Sequence, residues 1–318
     1  MRVHEGLEPE SDKVLNSLKP AFKKYTGGIL NIAFSGGVDS SVLLHAASIL
    51  RHRYRVKLRA LHVNHRWSAQ SDVWEVHCEA ACSTLNVDFL TTQLPDSLTD
   101  ELPSETVARA ERLKWFGEVV HPGAPLLTAH HADDQAETLL LRLLRGSGIY
   151  GLGGMLYDRN VGNLRILRPF LQLSRADLEN WATEYGLQAI NDPGNSDTRF
   201  ERNFLRHEIL PQLTSRWVGA RRTLSRAAGS FQVTQSLLDE IGHEDLAGCR
   251  RSADRCLLGV HGTLSISALD NLSPARRLNL LRYWFRLFSL EAASENGLSE
   301  FLRQLRDSAS DCAPALRV

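Results

Sequence analysis

Ser35-Gly36-Gly37-Val38-Asp39-Ser40 decides the fold. An apolar run, Ile29 to Phe34, precedes it, and an amphipathic run, Ser41 to Leu50, follows. A buried strand, a glycine turn and a helix are therefore predicted in immediate succession. Adjacent glycines let the backbone turn sharply and come close to a bound group. The helix that follows points its free N–H groups and positive dipole end into the turn, which favours an anion. Ser35, Ser40 and Ser41 add hydroxyl donors. A capped helix, with Ser35 as N-cap and Asp39 in the first turn, is the plain alternative. The stretch carries no G-x-x-x-x-G-K-[ST], so no loop lysine reaches a terminal phosphate. Amides and hydroxyls alone suit a pyrophosphate leaving group better than transfer of a terminal phosphoryl group.

Outward from the loop, strand and helix patterns alternate. A helix is predicted over 12–25, strands over 56–63, 87–94 and 125–129, and helices over 70–85, 103–120 and 133–145. The reading is α/β: a doubly wound parallel sheet with helices on both faces. In such sheets ligands sit beyond the carboxyl ends of the strands. The glycine loop, Asn64-His65 and His130-His131 all fall there, which is the strongest argument for a site. Further on come a glycine-rich run over 146–154, an extended piece over 165–170, a helix from Ser174 to about Tyr185, a turn cluster over 191–195 and helix over 202–241 broken at Pro211. The alternation ends beyond about Thr214, and a smaller, mostly helical C-terminal domain follows, giving expected domains of 1–214 and 215–318. Its aromatic residues Tyr283, Trp284, Phe285 and Phe288 read as core.

The chain has 318 residues, 43% of them hydrophobic, and zero formal net charge. No run approaches the ~20 apolar residues of a membrane span, and the acidic start (Glu5, Glu8, Glu10, Asp12) does not resemble a signal peptide. Five scattered cysteines give no disulfide framework, so a cytoplasmic location is expected. Of 37 basic residues only six are lysine. Arginine suits phosphate contacts, although a GC-rich genome produces the same bias. Arg199 to Ala228 holds seven arginines against Glu201 and Glu208; this is either a phosphate-contacting patch or solvated helix surface.

A second dense cluster is His130-His131-Ala132-Asp133-Asp134-Gln135-Ala136-Glu137-Thr138. Asp133 and Glu137, one helical turn apart, share a face. Carboxylates at a helix start opposite a phosphate loop suit Mg²⁺; compensation of the helix dipole and a transition-metal site built on the histidines are the other readings. Glu105, Arg109, Arg112 and Phe116 form one helical stripe, with a role toward RNA phosphate or a carboxylate set against a surface Glu105–Arg109 pair. Cys78 and Cys82 read as buried small hydrophobes rather than as a reactive pair.

The loop resembles that of the PP-loop ATP pyrophosphatases, Rossmann-like enzymes that split ATP to AMP and pyrophosphate. With F-S-G-G-V-D-S, H-V-N-H, E-T-V-A-R-A-E-R-L-K-W-F, T-A-H-H-A-D-D-Q-A-E-T, R-L-L-R-G-S-G, R-P-F and N-D-P-G-N-S-D-T-R-F-E-R-N-F-L-R in order up to about Leu213, the chain is similar to the tRNA(Ile)-lysidine synthetase family. That resemblance implies a ligase forming a carbon–nitrogen bond. On that resemblance ATP adenylates the carbon-2 oxygen of the wobble cytidine in the CAU anticodon of tRNA(Ile), and the ε-amine of free L-lysine displaces AMP to give lysidine. It implies that Ser35, Gly36, Gly37, Val38, Asp39 and Ser40 hold ATP and that Asp39, Asp133, Asp134 and Arg109 serve catalysis. Mg²⁺ would sit on Asp39 and Asp133, and Arg112, His65, Arg202, Asn203 and Arg206 would meet RNA. A structural role for Asp192, Asn195, Arg202, Asn203 and Arg206 stays equally open. The resemblance leaves room for a homodimer. A PP-loop tRNA thiolase is the alternative enzyme, disfavoured by the cysteine pattern. Two features depart from the family pattern. Arg66-Trp67 stands where the family usually has Gly followed by Leu or Ile. The sequence also stops at Val318, where many members continue into another domain, so the chain reads as a short form or a truncated one.

Overall fold

The computed structural model describes residues 12–66, 68, 70–94, 105–251, 263–288 and 295–307. Trp67, the predicted helix start at Pro103-Ser104, the side chain of Glu105, and the end over 313–318 lie outside what is described. The chain divides into two compact units, Met1–Gly229 and Ser230–Val318.

In the first unit the elements run α1 (Lys13–Lys24), β1 (Ile29–Ala33), α2 (Val38–Tyr54), β2 (Lys57–Asn64), α3 (Ser71–Thr84), β3 (Asp88–Gln93), α4 (Glu105–Val119), β4 (Pro125–Leu127), α5 (Ala132–Leu144), α6 (Ile149–Leu152), β5 (Asp158–Val161), β6 (Leu164–Leu167) and α7 (Arg175–Glu184). After a 3₁₀ turn over Pro193–Ser196 come α8 (Glu201–Phe204), a π-turn over Leu205–Ile209 and α9 (Leu210–Arg216). The strands form one six-stranded sheet in the order β3-β2-β1-β4-β6-β5. All pairings are parallel except that of β5 with β6. The extended piece expected near Arg165 is thus β6, joined parallel to β4, and β5 is an antiparallel edge strand that the sequence pattern did not announce. Asp158-Arg159-Asn160-Val161 is too polar to read as a strand; pairing with β6 along an edge makes it one.

Period-two alternation divides the core between the two faces. Leu58 and Ala60 of β2 join Leu30, Ile32 and Leu127 beneath α1, α2 and α7, which supply Leu18, Phe22, Leu43, Leu50, Leu178 and Trp181. Leu61 and Val63 face the other way, with Leu126, Leu164 and Ile166, against Ala108 and Phe116 of α4. α2 is buried nearly all round, since its residues Val42, Leu43, Leu44, Ala46, Ala47 and Leu50 are all in the core. It ends at Arg55, in the left-handed region at φ 52°. Capping fixes its neighbours: Asp12 accepts from Leu15 N at the start of α1, and Ser174 and Asp177 form a reciprocal capping box at the start of α7.

The long helix expected from Arg202 is broken at two places, by the π-turn before Pro211 and by the turn at Trp217. It resumes as α10 (Ala220–Cys249). The second unit contains the later part of α10, the paired β7 (Arg250–Arg251) and β8 (Thr263–Leu264), α11 (Ile266–Asp270), α12 (Pro274–Leu287) and α13 (Glu295–Asp307). Leu281 and Phe285 of α12 pack on Leu298, Phe301 and Leu302 of α13. Arg276 clamps the buried Asp245 with two hydrogen bonds of 3.0 and 2.6 Å. Tyr283, Trp284, Phe285 and Phe288 lie on α12 or at its end, and Trp284 and Phe285 pack in this small core. Among the described residues no helix is long and apolar enough to cross a membrane.

Candidate functional site

β1 lies between β2 and β4, and the chain leaves it on one side toward β2 and returns on the other at β4. The loops beyond β1 and β4 therefore diverge around a crevice at the carboxyl edge, the place where open α/β sheets bind ligands.

The loop after β1 is not a side-chain-capped helix. The N-cap of α2 is Gly37, and no side chain caps it. Ser35 is instead tied inward: its N–H donates to Ser40 Oγ at 3.3 Å and the two hydroxyl oxygens lie 3.1 Å apart, while Ser40 Oγ donates to Gly37 O. The first-turn N–H groups of α2 are thus left for a ligand. The two glycines differ in what they do. Gly36 has φ +82°, and a Cβ there would lie 2.4 Å from Ile190 Cδ1 and 2.9 Å from Cys78 Sγ. Ile190 N also donates to Gly36 O at 2.9 Å. A Cβ on Gly37 would meet only Ser35 Oγ, at an ordinary 3.6 Å. Gly36 is required by the protein; Gly37 leaves room on the open side of the loop.

Asp39, in the first turn of α2, and His131, at the end of the loop after β4, face each other: Asp39 Oδ2 is 3.6 Å from His131 Nε2. Asp134 Oδ2 lies 3.4 Å from the same nitrogen. Burial alone would keep the His131 ring neutral, but Asp39, Asp134 and Asp133 outweigh it and raise its pKa. Asp39 Oδ1 and His131 Nδ1 are buried without hydrogen-bond partners.

Asp133 and Glu137, expected to work as a pair, do not. Asp133 accepts from Arg175 N at the start of α7 and from Arg221 Nη1, both at 3.1 Å. The working pair is Asp134 and Glu137, three residues apart. Arg202 bonds Glu137 Oε2 at 2.8 Å and Asp134 Oδ1 at 2.9 Å. Arg206 bonds Glu137 through both carboxylate oxygens at 2.7 and 2.9 Å and Asp134 Oδ1 at 3.0 Å. Glu137 is fully buried. Burial opposes ionisation of Asp134, yet His131, Arg202 and His130 bring it down to about 2. Arg202 and Arg206, expected to meet RNA, are turned inward to compensate these acids. Asn203 holds the carbonyls of Gly194 and Asp197 at 3.0 Å, and Asp192 caps Gly194 N, so this segment braces itself. The framework half of the two open readings is what these contacts describe.

The arginines of α4 point to two separate neighbourhoods. Burial, with the charges of Arg112 and His62, lowers the pKa of His65 to about 4. His130, whose Nδ1 is 2.9 Å from Thr128 Oγ1, is lowered to about 3 by burial and by Arg202, Arg168 and Arg109 against the pull of Asp134. The charges of Arg112 and Arg109 are thus felt at the loop ends of β2 and β4 respectively.

A divalent cation was expected on Asp39 and Asp133. Among the described residues no group of three or more histidine, cysteine, aspartate or glutamate side chains is arranged to hold a metal. Asp39 fits a magnesium ion that takes most of its ligands from phosphate and water, because Oδ1 has no other partner. Asp133 does not fit so well, with both oxygens already on donors. Cys78 and Cys82 are fully buried, and desolvation pushes both thiols up to about 12. They are packing residues beneath the loop.

Known proteins agree with this architecture. The family described as the PP-loop domain matches residues 10–213, and the TilS substrate binding domain matches residues 264–318. A tRNA(Ile)-lysidine synthase of Pseudomonas aeruginosa is 37% identical over 313 residues, 98% of this chain and 69% of that protein. The chain belongs to the tRNA(Ile)-lysidine synthase family. Other members of that family are as similar: the protein of Pseudomonas putida is 40% identical over 290 residues and that of Pseudomonas syringae 39% over 288, each covering 90% of this chain. The chain spans 66% and 64% of the length of those two. Of solved structures, the U34-tRNA thiolase NcsA of Methanococcus maripaludis shares the fold, with a TM-score of 0.51 at 16% identity over 68% of this chain and 77% of its own.

Reading the sequence for lysidine-synthase motifs had not singled out Ile190, which seats the glycine loop, or Arg221, which bonds Asp133. Arg142 and Arg168 lie in the R-L-L-R-G-S-G and R-P-F motifs, which gave them no role, and Arg159 lies in none. Their signal is long-range contact, which no local spacing encodes.

Proposed function

We propose that the chain joins L-lysine to carbon 2 of the wobble cytidine of tRNA(Ile) bearing a CAU anticodon, releasing AMP and pyrophosphate. The observation that carries this reading is the uncapped start of α2 set against the Asp39–His131 pair across the β1–β4 crevice. Family membership supplies the chemistry to which that crevice is fitted.

In this reading residues 1–214 are the catalytic domain and 215–318 a tRNA-binding domain. The N–H groups and hydroxyls of Ser35–Ser40 hold the phosphates of ATP, with Gly37 giving the close approach. The cytidine oxygen attacks the α-phosphorus and pyrophosphate leaves from the mouth of the loop, where the helix dipole stabilises it. A magnesium ion on Asp39 would neutralise charge developing on the phosphates. The lysine ε-amine then attacks carbon 2, AMP departs, and the amine loses a proton. His130, held near 3 by burial and by neighbouring arginines, is too weak a base to take that proton. Arg109 and Arg112 face the RNA or the activated intermediate. Arg202 and Arg206 hold the acidic cluster in place, and Asn203 braces the turn over 194–197, rather than contacting RNA.

The competing thiolase reading needs a reactive thiolate. The described cysteines are all buried with raised pKa values, which argues against it. The reading is tested by following pyrophosphate release with and without a CAU tRNA(Ile) transcript. Release that depends on the transcript is expected; release indifferent to RNA contradicts the proposal.

A further inference from the structure

Arg168 and Arg109 both act on the charge of His130, and Arg142 and Arg159 act in turn on Arg168. Arg168 follows β6 at the carboxyl edge of the sheet, Arg142 is on α5, Arg159 on β5 and Arg109 on α4. Arg168 is only 3% exposed, yet its Nη1 donates to a carbonyl, Leu156 O at 2.7 Å, and its Nε is buried without a hydrogen-bond partner among the described residues. Arg142 likewise bonds carbonyls, Gly151 O at 2.5 Å and Gly154 O at 2.9 Å. Burial and the like charges of Arg159, Arg109 and Arg142 lower Arg168 to about 10. Burial and the charges of Arg159 and Arg109 lower Arg142. Carbonyls orient these guanidinium groups without neutralising them. By contrast, Arg202 and Arg206 a short way off are each matched to carboxylates. Exposure rises outward, from buried Arg168 through half-buried Arg142 to exposed Arg109 and Arg159. A graded basin in which buried Arg168 and half-buried Arg142 meet carbonyls rather than carboxylates is built for an anion.

We propose that Arg142, Arg159 and Arg168, with Arg109 at the mouth, form a second anion site, separate from the glycine loop, that grips the ribose-phosphate backbone of the RNA substrate next to the reacting nucleotide. This rests on the reading of the chain as a tRNA-modifying enzyme. Backbone phosphate is the chemistry favoured over a single amino-acid carboxylate. One carboxylate needs one bidentate guanidinium, whereas a basin open to solvent on its arginine side accepts successive phosphates of a chain.

The test is a salt titration of transcript binding by fluorescence anisotropy, using the 318-residue chain, a CAU tRNA(Ile) transcript and an unrelated tRNA transcript. The exposed Arg159 is varied as Arg159→Ala and Arg159→Glu, and Arg168→Lys probes the buried end. For both transcripts, Arg159→Ala should reduce the slope of log affinity against log salt by about one, and Arg159→Glu should weaken binding about tenfold. ATP binding and the KM for lysine should be unchanged. Wild-type affinity and slope in both Arg159 variants would overturn the proposal. So would a raised KM for lysine with RNA binding intact, which would give the basin to the amino-acid carboxylate. Slope loss on both transcripts, in a chain that incorporates no lysine, would uphold the backbone site and defeat the lysidine reading alone.

Discussion

Asp39 Oδ2 stands 3.6 Å from His131 Nε2, so the segment after β1 and the loop after β4 meet at this contact. One carries the turn to which phosphate binding is assigned, the other opens the helix of acids. The other oxygen of Asp39 has no hydrogen-bond partner among the described residues. Asp39→Asn keeps the shape of the side chain and removes its charge. It is expected to leave the unfolding midpoint in urea close to that of the parent while cutting RNA-dependent pyrophosphate release by about 100-fold or more. Undiminished release would remove Asp39 from the reaction.

The two loop glycines should fail in different ways. Gly36→Ala forces a Cβ into Ile190 and Cys78 at a left-handed backbone position, and should destabilise the fold by about 1–3 kcal/mol or more. Gly37→Ala meets only an ordinary contact inside the protein. It should fold normally and lose ATP affinity, read by urea denaturation and by isothermal titration with ATP. Equal stability losses in both variants would contradict the assignment of Gly37 to the ligand side.

Glu137 is fully buried and bonded by two arginines. Removing its charge leaves the two arginines with Asp134 as their one remaining carboxylate. Glu137→Gln should therefore lower the unfolding free energy by about 3–5 kcal/mol. Arg145→Ala breaks an exposed pair with Glu201 instead and should change it by less than about 1 kcal/mol. Chemical denaturation of the two variants side by side measures the contrast.

The buried histidines set an acid limit. In the unfolded chain His130 and His65 take protons near pH 6.5, but in the fold only near 3 and 4. Between these values the unfolded state binds more protons, so stability is full above about pH 6.5 and falls as pH drops. His131, with its pKa raised, acts in the opposite sense: its contribution is present below about pH 6.5 and fades as pH rises through the raised value. The unfolding midpoint should therefore decline from pH 6.5 toward 4, and the double variant His65→Gln, His130→Gln should flatten that decline. An identical pH profile would refute the burial argument.

Much of the first unit was legible from local pattern. β1, the glycine turn and α2 announce themselves within one apolar-polar switch, and the strand ends at Asn64-His65 and His130-His131 follow from alternation alone. What local pattern missed is what depends on partners far along the chain. The helical spacing of Asp133 and Glu137 suggested a shared face, but Arg202 and Arg206 select Asp134 instead. Ser35 had the composition of an N-cap, and its hydrogen bonds to Ser40 gave it another task. β5 is too polar to be recognised before its neighbour is known. Arg168 lay inside a motif, R-P-F, whose spacing said nothing of the three other arginines around it.

The central claim is ligation of lysine to a CAU-bearing tRNA(Ile). The most direct measurement incubates the chain with ATP, labelled L-lysine and that transcript, and counts label retained in the RNA. ATP-dependent retention is expected, lost when the wobble cytidine is replaced by uridine and lost in Asp39→Asn. No retained label from a folded chain that binds ATP, or label indifferent to the wobble base, would contradict it.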